Sequence, residues 1–342
     1  MLYEEKLLNL SPYYRGGRLF YLTPGRMRYG SSPMRFNSLL ILLLVCTLAS
    51  ACAGSASPAP AISQAQANSD DELERRLKTI SDGAQGTVGL SVVHIESGKT
   101  ISINGQSQLP LYSVFKLPLA IAVLREIEEN RLRLDQKIHV TPAEIVQGTP
   151  GNTALWRKPV DVTVEQLIEY SISRSDNTSA EKLLQLAGGP LKLTEQMRSL
   201  GFQNLDIRST VAEYVKTRQN PNVGSAADLA NLLVQLHGGK ILQSAHTTLL
   251  IGFMQRANTG LHRLRGDLPS GATVADKTGS GEKDDVTGVA RSTNDVGIIT
   301  LPANRGHLVI AVLINKSKLA DAAQEKVIAD LARAAYDAYA TR

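Results

Sequence analysis

Cysteine is scarce in this sequence, net charge is nearly absent outside the first segment, and the usual metal and phosphate signatures are missing. Of 342 residues two are cysteine, Cys46 and Cys52, both near the N-terminus. The rest of the chain has no disulfide pair of its own and relies on packing. The formal net charge is +5, and residues 1–52 carry +4 of it through Lys6, Arg15, Arg18, Arg26, Arg28 and Arg35 against Glu4 and Glu5. A near-neutral remainder offers no basic patch for nucleic acid. There is no H-E-x-x-H, no C-x-x-C, no P-loop and no G-x-S-x-G, so zinc hydrolysis, nucleotide chemistry and a nucleophile elbow have no support. The six histidines (His94, His139, His237, His246, His262, His307) are scattered. No metal or other cofactor is expected.

What is present is 43% apolar and 20% charged, the balance of a globular protein with a substantial core. The run LLILLLVCTLA at 39–49 is short for a membrane span but suits the core of a signal peptide, with Arg35 before it and Ala49-Ser50-Ala51 as a small-x-small cleavage pattern. Residues 1–33 then read as an extension ahead of a start at Met34, 34–52 as the export signal, and 53–69 as a small-residue, Pro-containing tether. Cys52 after Leu48-Ala49-Ser50-Ala51 is similar to a lipoprotein box, so lipid attachment there is the alternative to a cleaved soluble form. A monomer in the periplasm, or otherwise exported, is expected.

Residues 70–342 read as the folded part. Helical spacing at 71–81 precedes a β-hairpin, 86–95 with 99–104. Residues 114–129 are apolar almost all round, as in a buried central helix. Amphipathic segments follow at 163–173, 178–187, 191–200, 226–237 and 246–257. Strand character returns at 272–277, 287–300 and 306–315, and a helix closes the chain at 319–340. Strands at both ends imply one antiparallel sheet, flanked by the terminal helices and interrupted by an inserted all-α domain. This α/β (α+β) reading divides the chain into a sheet lobe (70–111 and 266–342) and a helical lobe (112–265).

Three motifs carry chemistry. Ser113-Val114-Phe115-Lys116 opens the buried helix. A spacing of three puts hydroxyl and ammonium on one face, and a desolvated lysine there can lose its proton and activate the serine. Helix-start N–H groups can hold an oxyanion. Ser175-Asp176-Asn177 lies between helices, where such residues also cap. Lys277-Thr278-Gly279, followed by Ser280-Gly281, ends a strand. Each string alone is common; their order, with serine-to-serine spacing of 62 and serine-to-lysine spacing of 102, is specific.

With S-V-F-K, R-S-D-N-T-S-A, L-L-Q-L-A-G-G-P, A-D-K-T-G-S-G and the late S-T-N-D-V-G-I-I-T-L-P, residues 70–342 resemble the serine penicillin-recognising enzymes, and among them the class A β-lactamases. The resemblance implies a β-lactamase/transpeptidase-like fold and a small-molecule β-lactam substrate. It makes Ser113 the nucleophile, Lys116 its activator, and the N–H groups of Ser113 and Ser280 the oxyanion hole. Ser175 relays a proton to the leaving nitrogen, Asn177 contacts the substrate amide, and Lys277 and Thr278 receive its carboxylate. Trp156 reads as structural.

One stretch departs from that pattern. The glutamate that hydrolyses the acyl-enzyme would fall on Val211 and its helper asparagine on Val215; Glu213 is the only carboxylate in 211–227, two residues late. Either a rebuilt loop brings Glu213 into the role, or the usual base is lacking. Three activities stay open: a β-lactamase, a D-alanyl-D-alanine peptidase, and a sensor that is acylated and stays so.

Overall fold

The computed structural model describes residues 64–148, 154–218, 220–282 and 290–341. The expectations for 1–33, the export signal and Cys52 lie outside them. Helix α1 (Gln64–Asp82) begins ahead of Asp70, extending into the expected tether, because Gln-Ala-Gln-Ala are good helix formers. The hairpin forms as β1 (Thr87–His94) and β2 (Thr100–Ile103), with Leu90 opposite Ile103. After the short β3 (Leu109–Pro110) a 3₁₀ turn, Tyr112–Phe115, leads into α2 (Lys116–Glu128). Pro118 is tolerated because it sits in the first turn of α2, where backbone N–H groups have no partner to lose.

The helical region continues through the hairpin β4 (Lys137–Val140) and β5 (Val160–Thr163), then α3 (Val164–Ser173), α4 (Asn177–Leu186) and α5 (Gly189–Ser199). Next come α6 (Val211–Thr217), β6 (Val223–Gly224), α7 (Ala226–His237) and α8 (Ser244–Gln255). The chain returns through β7 (Val274–Ser280), β8 (Ala290–Thr300) and β9 (His307–Ser317) to α9 (Asp321–Ala340). The main sheet is antiparallel in the order β2-β1-β9-β8-β7. The small pairs β3–β6 and β4–β5 and the helix α6 had no sequence expectation; they are too short for a periodic pattern to register.

Strand β9 explains the layering. Its run of seven buried residues, Leu308 to Ile314, feeds two cores by simple alternation. Val309, Ala311 and Leu313 join the core shared with α2, α3, α4 and α7, while Leu308, Ile310, Val312 and Ile314 pack with α1 and α9. A strand covered on both faces loses the polar half of its pattern. Strand β7, at the sheet edge, meets the turn that carries Ser113. Gly279 makes that contact possible: a Cβ there would lie 2.5 Å from Leu111 O and 3.1 Å from Val114 N. The approach is also tied from the next strand, where Asn294 Nδ2 donates to Pro110 O (2.8 Å) and Leu111 O (3.2 Å).

Asn294→Ala should therefore lower stability by about 1–3 kcal/mol, the cost of losing both amide bonds, although Leu111 O keeps its bond from Val114 N (3.1 Å). Urea denaturation measures it, and a change below about 0.5 kcal/mol would show that the contact is passive.

Candidate active site

Ser113, Lys116, Ser175 and Asn177 meet with Thr278, Gly279 and Ser280 around one cavity of about 680 Å³. Local backbone geometry aims two of the serines. Tyr112, immediately before Ser113, has φ +47°, and Ser175 itself has φ +56°. Left-handed conformations cost non-glycine residues energy, so surrounding structure holds both in place. For Ser175 part of that restraint comes from Asp176, which N-caps α4 by accepting from Ser179 N (2.6 Å) and takes the indole N–H of the buried Trp156 (3.2 Å). Trp156 thus has the structural role expected of it.

Lys116 and Lys277 are both fully buried, and both approach Ser175. Lys116 Nζ donates to Ser175 O (2.6 Å) and Asn177 Oδ1 (2.8 Å), with Ser175 Oγ at 3.4 Å. Lys277 Nζ donates to Ser175 Oγ (3.1 Å) and Thr278 O (2.8 Å). Burial, and secondarily the charge of Lys277, push the proton affinity of Lys116 well below that of an ordinary lysine, with Asp176 opposing them. Burial also brings the pKa of Lys277 down to about 7, against the pull of Asp276 and Asp295. Asn177 completes the junction by donating from Nδ2 to Gln147 O (2.9 Å).

The strand side is braced by groups that no motif announces. Thr278 Oγ1 and Thr259 Oγ1 are 2.6 Å apart. Arg263, buried, donates to Ser280 Oγ (2.7 Å), Gly279 O (3.1 Å) and Asn294 O (2.9 Å), and pairs with Glu325 (3.1 Å). In the sequence it is one arginine among several near residue 263, with no pattern to mark it. The described partners of His94, His139, His246 and His307 are Ser97 and Arg305 O, Asp161, Glu128 and Glu96, and no histidine lines the cavity. Among the described residues, no group of three or more His, Cys, Asp or Glu is arranged to hold a metal ion.

Glu213 is not brought to the cavity. It is exposed, and its Oε2 accepts from Thr210 N (2.8 Å) while its own N–H donates to Thr210 Oγ1 (3.1 Å), a capping box at the start of α6. Its carboxylate thus closes a local helix-start bond rather than turning toward Ser113. Val211 and Val215 line the cavity instead, with Tyr214, whose ring meets that of Tyr112 edge-on at 5.6 Å. Behind this wall the buried Glu181 accepts from Val211 N (2.9 Å) and Ala212 N (3.1 Å) through Oε2.

Two buried amines beside one hydroxyl make a checkable electrostatic pair. In ¹⁵N NMR of the lysine side chains, Lys277 should titrate near pH 7 and Lys116 far below the exposed lysines. Lys277→Ala should raise the Lys116 midpoint, because a like charge has gone. An unmoved midpoint would mean that the two amines do not sense each other.

A family model described as the β-lactamase enzyme family matches residues 72–339. Among curated proteins, the chain is 34% identical to the extended-spectrum β-lactamase PER-1 of Pseudomonas aeruginosa, over 77% of this chain and 86% of that protein. It is 30% identical to the β-lactamase VEB-1 of the same organism, over 79% and 91%. Among solved structures, a β-lactamase from Chitinophaga pinensis superposes with TM-score 0.75 at 35% identity, covering 78% of this chain and 99% of that one. The TLA-1 extended-spectrum β-lactamase does so with TM-score 0.75 at 30% identity, over 79% and 99%. On these matches, and on an S-V-F-K turn, an S-D-N loop and a K-T-G strand gathered round one cavity, the chain belongs to the β-lactamase enzyme family, as a class A serine hydrolase.

Proposed function

We propose that this chain is an exported enzyme that opens the β-lactam ring through an acyl-enzyme on Ser113. The observation that carries the reading is the dry placement of Lys116 against Ser175 and Asn177, one turn beyond the serine. Ser113 Oγ attacks the lactam carbonyl carbon as Lys116 Nζ takes its proton. The carbonyl oxygen, now an oxyanion, is held by the N–H groups of Ser113 and Ser280. Its electron pair returns, the C–N bond breaks, and Ser175, in contact with both lysines, relays a proton to the departing nitrogen. Lys277 and Thr278 receive the substrate carboxylate, and Asn177 contacts the side-chain amide. Export is supported by the apolar run at 39–49 with its flanks; a lipid on Cys52 and a cleaved soluble monomer are the two forms it allows.

A second reading, acylation with little release, is favoured by one feature: valines at 211 and 215 and a capped Glu213 leave the α6 wall of the cavity without a carboxylate. Nitrocefin separates the two, through steady turnover or a single stoichiometric burst.

Ser113→Ala should abolish covalent labelling by a fluorescent penicillin while circular dichroism stays unchanged. Lys116→Ala should slow acylation by roughly 10²–10⁴-fold. EDTA should leave turnover intact. Full labelling of the alanine variant at 113 would remove that serine from the reaction, and activity lost to EDTA and restored by zinc would overturn the serine mechanism.

A further inference from the structure

The cavity poses a question that acylation leaves open: what activates the water that releases the acyl group. The carboxylates nearest the wall are committed elsewhere. Glu213 closes its capping box, and Glu181 sits behind Val211 and holds two N–H groups of α6. Among the described residues, Glu282 is the only carboxylate lining the cavity, just past the end of β7. Lys116, by contrast, lines the cavity with Ser113 and is fully buried.

We propose that Lys116, besides activating Ser113, is the base that activates the hydrolytic water, so that one amine serves both halves of the reaction. The inference rests on the acyl-enzyme reading above. Its geometric basis is the count of acceptors around Nζ. Two are close, Ser175 O at 2.6 Å and Asn177 Oδ1 at 2.8 Å, and a neutral amine has two N–H bonds to give them. The fourth tetrahedral direction would be a third N–H in an ammonium. Its best acceptor is Ser175 Oγ at 3.4 Å, which already takes a closer bond from Lys277 at 3.1 Å. In the neutral amine that direction is a lone pair, available to take a proton. The charged groups facing Lys116 are Asp176, already bonded to Ser179 N and Trp156, and Lys277, which repels an ammonium. Arg174, Arg218 and Glu282 are the other charged members of the cavity wall. Burial and the neighbouring cation thus act with the acceptor count to favour the free amine.

The step balances without a further reactant. Nζ takes a proton from water as the water oxygen bonds to the acyl carbon, and the carbonyl electrons move to oxygen. When that pair returns, the bond from carbon to Ser113 Oγ breaks. Oγ takes the proton back from Nζ, the carboxylic acid product leaves, and Lys116 is again a neutral amine.

The test is the pH dependence of release. The wild type is acylated with benzylpenicillin, freed of excess reagent, and followed by intact mass from pH 5 to 9. A carboxylate base is already ionised over most of that range and gives a flat rate. An amine base gives a rate that climbs by up to tenfold per pH unit below its own pKa and levels above it, and the expected result is levelling at the midpoint that ¹⁵N NMR gives for Lys116 in the acyl-enzyme. Glu213→Gln and Glu181→Gln should keep the slope. Lys116→Ala, acylated by long incubation, should release at least about 100-fold more slowly. A wild-type profile whose midpoint departs from the one that ¹⁵N NMR gives for Lys116 in the acyl-enzyme, an adduct that persists for hours at every pH, or release lost in Glu282→Gln with acylation intact would each overturn the proposal. Absence of any adduct on Ser113 would instead overturn the acyl-enzyme reading beneath it.

Discussion

Lys116 and Lys277 both reach Ser175, one from the first residue of a buried helix and one from the edge strand of the sheet. Removing an ammonium from water costs several kcal/mol even after relaxation, and two beside each other cost more. The chain meets that cost with backbone carbonyls, an amide oxygen and a hydroxyl rather than with a carboxylate bonded to either amine. Neutral acceptors satisfy N–H groups without stabilising the positive charge as an ion pair would, so burial lowers the proton affinity of both amines. The left-handed Ser175, the cap on α4 and the close passage of Gly279 all serve to set this junction.

The α6 region shows how local physics overrides positional counting. Reading along the loop leads from an expected acid at Val211 to the nearest available one, Glu213. Yet Thr210 followed three residues later by glutamate is a capping box, and a short helix has strong need of one, since its first N–H groups have no internal partner. Glu181 supplies the cap for the next two N–H groups. With both acids occupied, the valines remain to face the cavity.

Much of the architecture was legible because its signals are long. The apolar run at 114–129 and the amphipathic repeats fall within a few residues of α2, α3, α4, α5, α7 and α8. The S-V-F-K, S-D-N and K-T-G motifs meet at one cavity. What escaped notice was short or solitary. Two-residue strands have no period, and α6 is two turns of mixed character. Arg263 and Asn294 act through contacts across the sheet and the turn, invisible in a one-dimensional string. Tyr112 and Tyr214 meet only because the loop folds back.

The alternation of β9 has a consequence for the far edge of the sheet. Ala311, which faces the helical core, pairs with Val296, and Val296 pairs with Lys277; Ile310, facing the terminal helices, leads through Gly297 to Asp276. The side on which each β7 residue emerges is thus a matter of parity, inherited strand by strand from the middle of the sheet. A slip of one residue between β7 and β8 would send the lysine to the opposite face and put Asp276 or Thr278 in its place. A slip of β9 itself would push its partitioned side chains into the wrong cores. The hydrophobic sorting of an interior strand therefore acts as an error check on the sign of the charge presented at the active site.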